Sequence, residues 1–217
     1  MKKLLFWMVL IVGIVVLLGS CAKKDDSTAA TVTPFTSTTT AAGSITVGSV
    51  AMSGVYVSGC NTSGVAAAVS GGYFPSDIVA NRDVLVVTGN DNVSQESHFY
   101  TDTTCSTLSG YSKNGWDNFT VGDASGEFYK VTYKETGYKI KVGTTVAETY
   151  YEDYFTTNGI TASGTTIDLV VGTEYDVGGS GVNEMNIFYV SSTIVRHGDD
   201  DNATQPTEMD SLEMAKQ

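Results

Sequence analysis

Phe128-Tyr129-Lys130-Val131-Thr132-Tyr133-Lys134 runs into Glu135-Thr136-Gly137 and then into Tyr138-Lys139-Ile140-Lys141-Val142. In the first run Tyr129, Val131 and Tyr133 share one face, and Lys130, Thr132 and Lys134 share the other. In the second, Tyr138, Ile140 and Val142 are apolar while Lys139 and Lys141 face away from them. A period of two marks a strand with one buried face. Glu135-Thr136-Gly137 has turn composition, so the stretch is expected to fold as an antiparallel hairpin.

Working outward, the same pattern recurs. Gly54–Cys60 reads as a strand, as does the apolar run Asp83–Thr88. Gly89-Asn90-Asp91-Asn92 reads as a turn, and Val93–Thr101 as the partner strand beyond it. Further strands are expected at Val146–Thr156, Thr165–Val171 and Glu184–Val195, with turns at Asn158-Gly159, Ala162-Ser163-Gly164 and Gly178–Gly181. No stretch reads as a long helix inside the domain. Eight to ten short strands with short connections imply an antiparallel barrel or sandwich.

The N-terminus is different. Lys2 and Lys3 precede an apolar run of about fifteen residues, Leu4 to Leu18. That is short of the ~20 residues of a membrane-spanning helix and suits a secretory signal. The run ends in Leu18-Gly19-Ser20-Cys21, which resembles a bacterial lipobox. The resemblance implies cleavage before Cys21 and acylation of its sulfur and of the new amino terminus. Stable anchoring takes more than one acyl chain. Ala22 follows, not the Asp that retains enterobacterial lipoproteins at the inner membrane, so the expected address is the outer membrane. An ordinary signal-peptidase site, an uncleaved anchor and a buried core helix are the competing readings.

The expected organisation is therefore a signal peptide over residues 1–20, a flexible Ser/Thr/Ala-rich tether over 21–43, a β-domain over 44–197, and an acidic loop and tail over 198–217. The tether has too few large apolar residues to form a core. In the tail, Pro206 is expected to start a short helical segment that docks Met209 and Leu212 on the domain.

The chain's formal net charge is −12, and loss of Lys2 and Lys3 takes it to about −14. Such a surface repels nucleic-acid phosphates and favours solubility. With Cys21 acylated, Cys60 and Cys105 remain. An even pair in an exported chain reads as a disulfide, with two separate buried thiols as the alternative. Closing a loop of this size stabilises by about 4 kcal/mol in the chain-entropy model.

Gly54–Cys60 resembles the G-[ST]-W-x-x-x-C opening of small exported lipoproteins of Gram-negative bacteria. Phe99–Cys105 is similar to their Y-x-D-x-x-C segment, and Asn186–Val195 followed by Gln205–Asp210 to their closing strand and R-P-T-x-[LM]-D tail. Tyr56 stands where those chains carry Trp, Gln205 where they carry Arg, and Gly71–Asn81 is a longer connection than theirs. The resemblance implies an all-β fold, an antiparallel up-and-down (lipocalin-like) barrel without an assigned activity.

Candidate chemistry is sparse. His98 and His197 have Asp102 and Asp199 near them in sequence, but a lone strand histidine is more often a hydrogen-bonded surface residue than a base or ligand. Asp199-Asp200-Asp201-Asn202 lacks the alternating spacing and the glycine of a calcium loop. Ser180 in Gly178–Gly181 is not a nucleophile elbow. No enzyme, metal site or cofactor is expected. The aromatics Tyr56, Phe99, Trp116, Tyr129, Tyr133, Tyr138 and Phe188 are the candidate lining of a barrel cavity, because an eight-stranded barrel either holds one small ligand or fills its own interior. The expected function is non-catalytic: a lipid-anchored protein binding a small hydrophobic ligand or presenting a surface to a protein partner. The alternative is a structural or adhesive module with a packed interior.

Overall fold

Phe128–Val142 is one strand, not a hairpin. In the computed structural model, which describes Phe35 and residues 37–162, 164–198, 205–210 and 212–217, it pairs along its length with Leu108–Ser125. Gly115 pairs with Gly137 and Trp116 with Glu135, so Thr136 is an extra residue, a bulge. An extra residue shifts the side-chain phase by one. That is why odd positions up to Glu135 and even positions from Tyr138 onward are buried on the same side. The apolar faces read from the sequence are correct, but the glutamate-threonine-glycine between them bends a strand and does not reverse it.

The strands in chain order are β1 (Ile45–Val47), β2 (Val50–Met52), β3 (Val55–Ser58), β4 (Ala80–Val87), β5 (Val93–Tyr100), β6 (Leu108–Ser125), β7 (Phe128–Val142), β8 (Thr161–Ala162), β9 (Thr165–Thr166), β10 (Glu174–Asp176), β11 (Asn183–Val190), β12 (Ile194–His197) and β13 (Met214–Lys216). Among the described residues two helices interrupt them, α1 (Val65–Ser70) and α2 (Thr145–Asn158). Strands β3, β4, β5, β6, β7, β11, β12 and β13 each pair antiparallel with the next, and β13 returns to β3. The result is a closed eight-stranded up-and-down barrel. Closure leaves no sheet edge among these eight. The expected fold class is the observed one.

The tail closes the barrel, though as a strand. Met214 is fully buried and pairs with Ser58 on one side and Val195 on the other. The docking expected of Met209 and Leu212 on a helix is therefore made by Met214 two residues further on. Glu184–Val195 divides into β11 and β12, and Thr165–Val171 carries strand structure only at β9.

The expected strand at Val146–Thr156 is the helix α2. Ala147, Tyr151 and Phe155 are buried and four apart, a helical stripe. Thr144 caps the start, its side chain accepting from the Ala147 N–H at 3.1 Å. Gly159, at φ 65°, ends the helix in the left-handed conformation. Those three residues pack on Tyr138, Ile140 and Val142 inside one end of the barrel. At the other end the β1–β2 hairpin sends Ile45, Val47 and Met52 into the core beside Trp116, Phe119 and Phe188. Cys60 and Cys105 are joined, with Cα atoms 5.8 Å apart, linking the end of β3 to the β5–β6 connection.

Candidate functional site: the barrel lumen

Register assigns each strand residue to the inside or outside. The odd positions of β4 and β5 face inward with Leu85, Val87 and Val93, which makes Asp83, Gln95 and Ser97 inward as well. Across β5–β6 they meet Ser112 and Asn114, and across β6–β7 those meet Ile140 and Tyr138. The interior is therefore layered: an aromatic layer, a polar belt, and the apolar layer under α2.

In the aromatic layer Trp116 stacks on Tyr133 with centroids 4.3 Å apart. Phe119 lies parallel to Tyr133 at 5.9 Å, and Phe188 sits edge-on to Phe119 at 5.3 Å. Tyr56 and Phe188 are fully buried and Tyr129 half-buried. Tyr138 lies instead in the layer under α2. Phe99 points to the same end, where Val65, Ile78 and Phe74 cover it. All seven aromatics named from the sequence are thus interior, in three separate groups, and their rings are largely occupied by one another.

The polar belt is what the sequence reading missed. Gln95, Ser112 and Asn114 are half-buried although they face inward from the middle of closed strands. Asn114 Nδ2 donates to Gln95 Oε1 at a long 3.4 Å, and Asn114 Oδ1 is buried with no hydrogen-bond partner. Asp83 anchors the side of the belt: Ser97 Oγ donates to its Oδ1 at 2.8 Å and Asn81 Nδ2 to its Oδ2 at 3.3 Å. Burial holds the Asp83 carboxyl above its ordinary value, against the Ser97 hydrogen bond and the nearby His197. Burial likewise raises Glu135, whose Oε2 accepts from Ser180. The signal for the belt was available, since Gln95 and Ser97 share parity with Val93 and Phe99.

The belt offers amide and hydroxyl groups that donate as well as accept. It suits a ligand with a polar, hydrogen-bonding end and an apolar part that can lie against Trp116 or Tyr138. His197 faces inward opposite Phe188, but its Nδ1 is 3.0 Å from the Gly198 carbonyl. His98 faces outward, with Nε2 2.8 Å from Glu96. Ser180 is not in a turn alone but reaches back to Glu135. Among the described residues no three His, Cys, Asp or Glu side chains are grouped to hold a metal ion. Cys21 and Asp199–Asn202 lie outside the described residues. No family model and no curated protein matches the chain.

Proposed function

We propose that this protein is an exported lipoprotein, anchored to the outer membrane through Cys21, whose barrel binds one small ligand in its lumen without chemical conversion. The observation that carries the binding reading is the half-burial of Gln95, Ser112 and Asn114, which face inward from paired strands. The ligand has an apolar body, for the aromatic wall, and a polar, hydrogen-bonding end, for the amide groups of Asn114 and Gln95. The anchor rests on Leu18-Gly19-Ser20-Cys21 and its preceding apolar run. A structural or adhesive module is the second reading, supported by the burial of Trp116, Tyr133 and Phe188 against one another.

Native mass spectrometry of the protein extracted from its membrane tests both halves. The expected spectrum shows an N-terminal acylated Cys21 and a small-molecule adduct at one per chain. Cys21→Ala should abolish fatty-acid incorporation and leave the precursor uncleaved. Normal processing of that variant would remove the anchor, and a bare polypeptide mass would favour the packed-interior reading.

A further inference from the structure

The outer wall of β5 and β6 carries a buried charge cluster that the lumen does not use. Glu96 faces outward between inward Gln95 and Ser97, yet it is 0 % exposed, with Ser37 and Thr39 laid across it. Ser37 Oγ lies 3.1 and 3.2 Å from the two Glu96 oxygens, and the Thr39 hydroxyl also donates to Oε1. His98 Nε2 approaches Oε2 at 2.8 Å. Between these two strap residues, Thr38 Oγ1 accepts from Lys113 Nζ at 2.6 Å. Phe35 sets its ring edge-on to His98 at 4.8 Å and packs on the outward Val57, Val84 and Val86. Phe35, Ser37, Thr38 and Thr39, expected to lie in a flexible tether, are thus fastened to the barrel wall by one ring and three hydroxyls, two of them on a single carboxylate.

An ionised carboxylate accepts several hydrogen bonds at once, whereas a protonated one must give up an acceptor site to its own proton. Fastening therefore depends on the charge of Glu96. The groups around it are His98 on its own strand, Arg82 opposite His98 on β4, Tyr111 and Lys113 on β6, Lys139 on β7 and Glu174 on β10. Lysine and arginine are cationic throughout the acid range, so the charge that acid removes from the cluster is a carboxylate's. Burial opposes ionisation of Glu174, but hydrogen bonds from Tyr111 and Lys113 hold it below its ordinary value.

We propose that Phe35, Ser37, Thr38 and Thr39 form an acid-released latch: they lie against the barrel while Glu96 is ionised, then let go and uncover Val57, Val84 and Val86. The latch belongs to the outer wall and stands whether or not the lumen holds a ligand or Cys21 carries lipid. Burial works against the Glu96 charge, but His98 and Thr39 outweigh it and bring the carboxyl below its ordinary 4.5. A group lowered in the closed state stabilises closure above its open-state value and loses that stabilisation as pH falls through the closed-state value.

NMR cross-peaks between the Phe35 ring and the Val84 and Val86 methyls, followed in the full chain from pH 7 downward, test the latch. The open-to-closed ratio should rise about tenfold per pH unit below the ordinary carboxylate range. Glu96→Gln should weaken the cross-peaks at pH 7 while β5 and β6 stay folded. If that variant does not fold, the Ser37→Ala, Thr39→Ala double variant, which leaves the barrel wall intact, should give the same loss. Cross-peaks that persist to pH 3, or that survive in the double variant, would overturn the latch.

Discussion

Two residues of one contact show how tightly the barrel wall is specified. Gly179 crosses the β7 bulge so closely that a Cβ would lie 2.3 Å from the Thr136 carbonyl carbon. Gly179→Ala is expected to destabilise the fold by about 1–3 kcal/mol, as overpacking does, measured by urea unfolding. Next to it, Ser180 reaches the buried Glu135. Burial raises the Glu135 carboxyl above 4.5, so the folded chain keeps a proton that the unfolded chain releases at that pH. Between the two values stability falls as pH rises, opposite in sign to Glu96. Glu135→Gln keeps an acceptor for Ser180 and removes the charge. It should be at least as stable as the parent at pH 7 and lose that part of the pH slope. A large loss at pH 7 would mean that the ionised form is the stabilising one. Neither residue was legible as structural beforehand: Gly178–Gly181 reads as a turn, and nothing local says that a serine in it meets a glutamate 45 positions away.

Among elements, the sequence was most legible where side-chain period and burial agree, as in β4, β5 and both halves of β7. It misled where composition and period disagree. Residues 145–158 are rich in Thr and Tyr, which favour strands, yet Ala147, Tyr151 and Phe155 sit at helical spacing under a Thr144 cap. Packing on Tyr138 and Ile140 decides that contest. β6 was missed because its glycines and asparagines, Gly110, Asn114, Gly115 and Asn118, interrupt any apolar alternation; the pairing with β5 and β7 supplies its order. β13 is the shortest of the barrel strands and the one that closes it. Deleting Leu212–Gln217 takes the buried Met214 out of the core and leaves β12 and β3 each with an open edge. The loss should be about 3 kcal/mol or more, seen as a lowered melting temperature and new dye binding. An unchanged melting curve would mean that the barrel closes without this strand.

For the molecule as a whole, eight strands can surround either a filled core or a small space. The aromatic layer and the layer under α2 are filled, and the belt of Gln95, Ser112 and Asn114 between them is polar and only half-buried, which is what the proposed ligand-binding lumen rests on. The alternation that reveals a barrel from sequence also hides its lumen, because inward polar residues break the apolar pattern used to find strands. The seven aromatics named as candidate cavity lining pack largely on one another, and the residues beside them in the belt are small and polar.

The stability of Asn114→Phe measures that room directly. The substitution adds a ring at the belt and gives up only the long bond to Gln95 and an unpartnered Oδ1. An open lumen accepts the ring, and the melting temperature should move by less than about 2 °C. A packed interior would be strained by about 1–3 kcal/mol, which for a chain of this size lowers the melting temperature by roughly 2–12 °C, and a drop of that size would contradict a ligand-binding lumen.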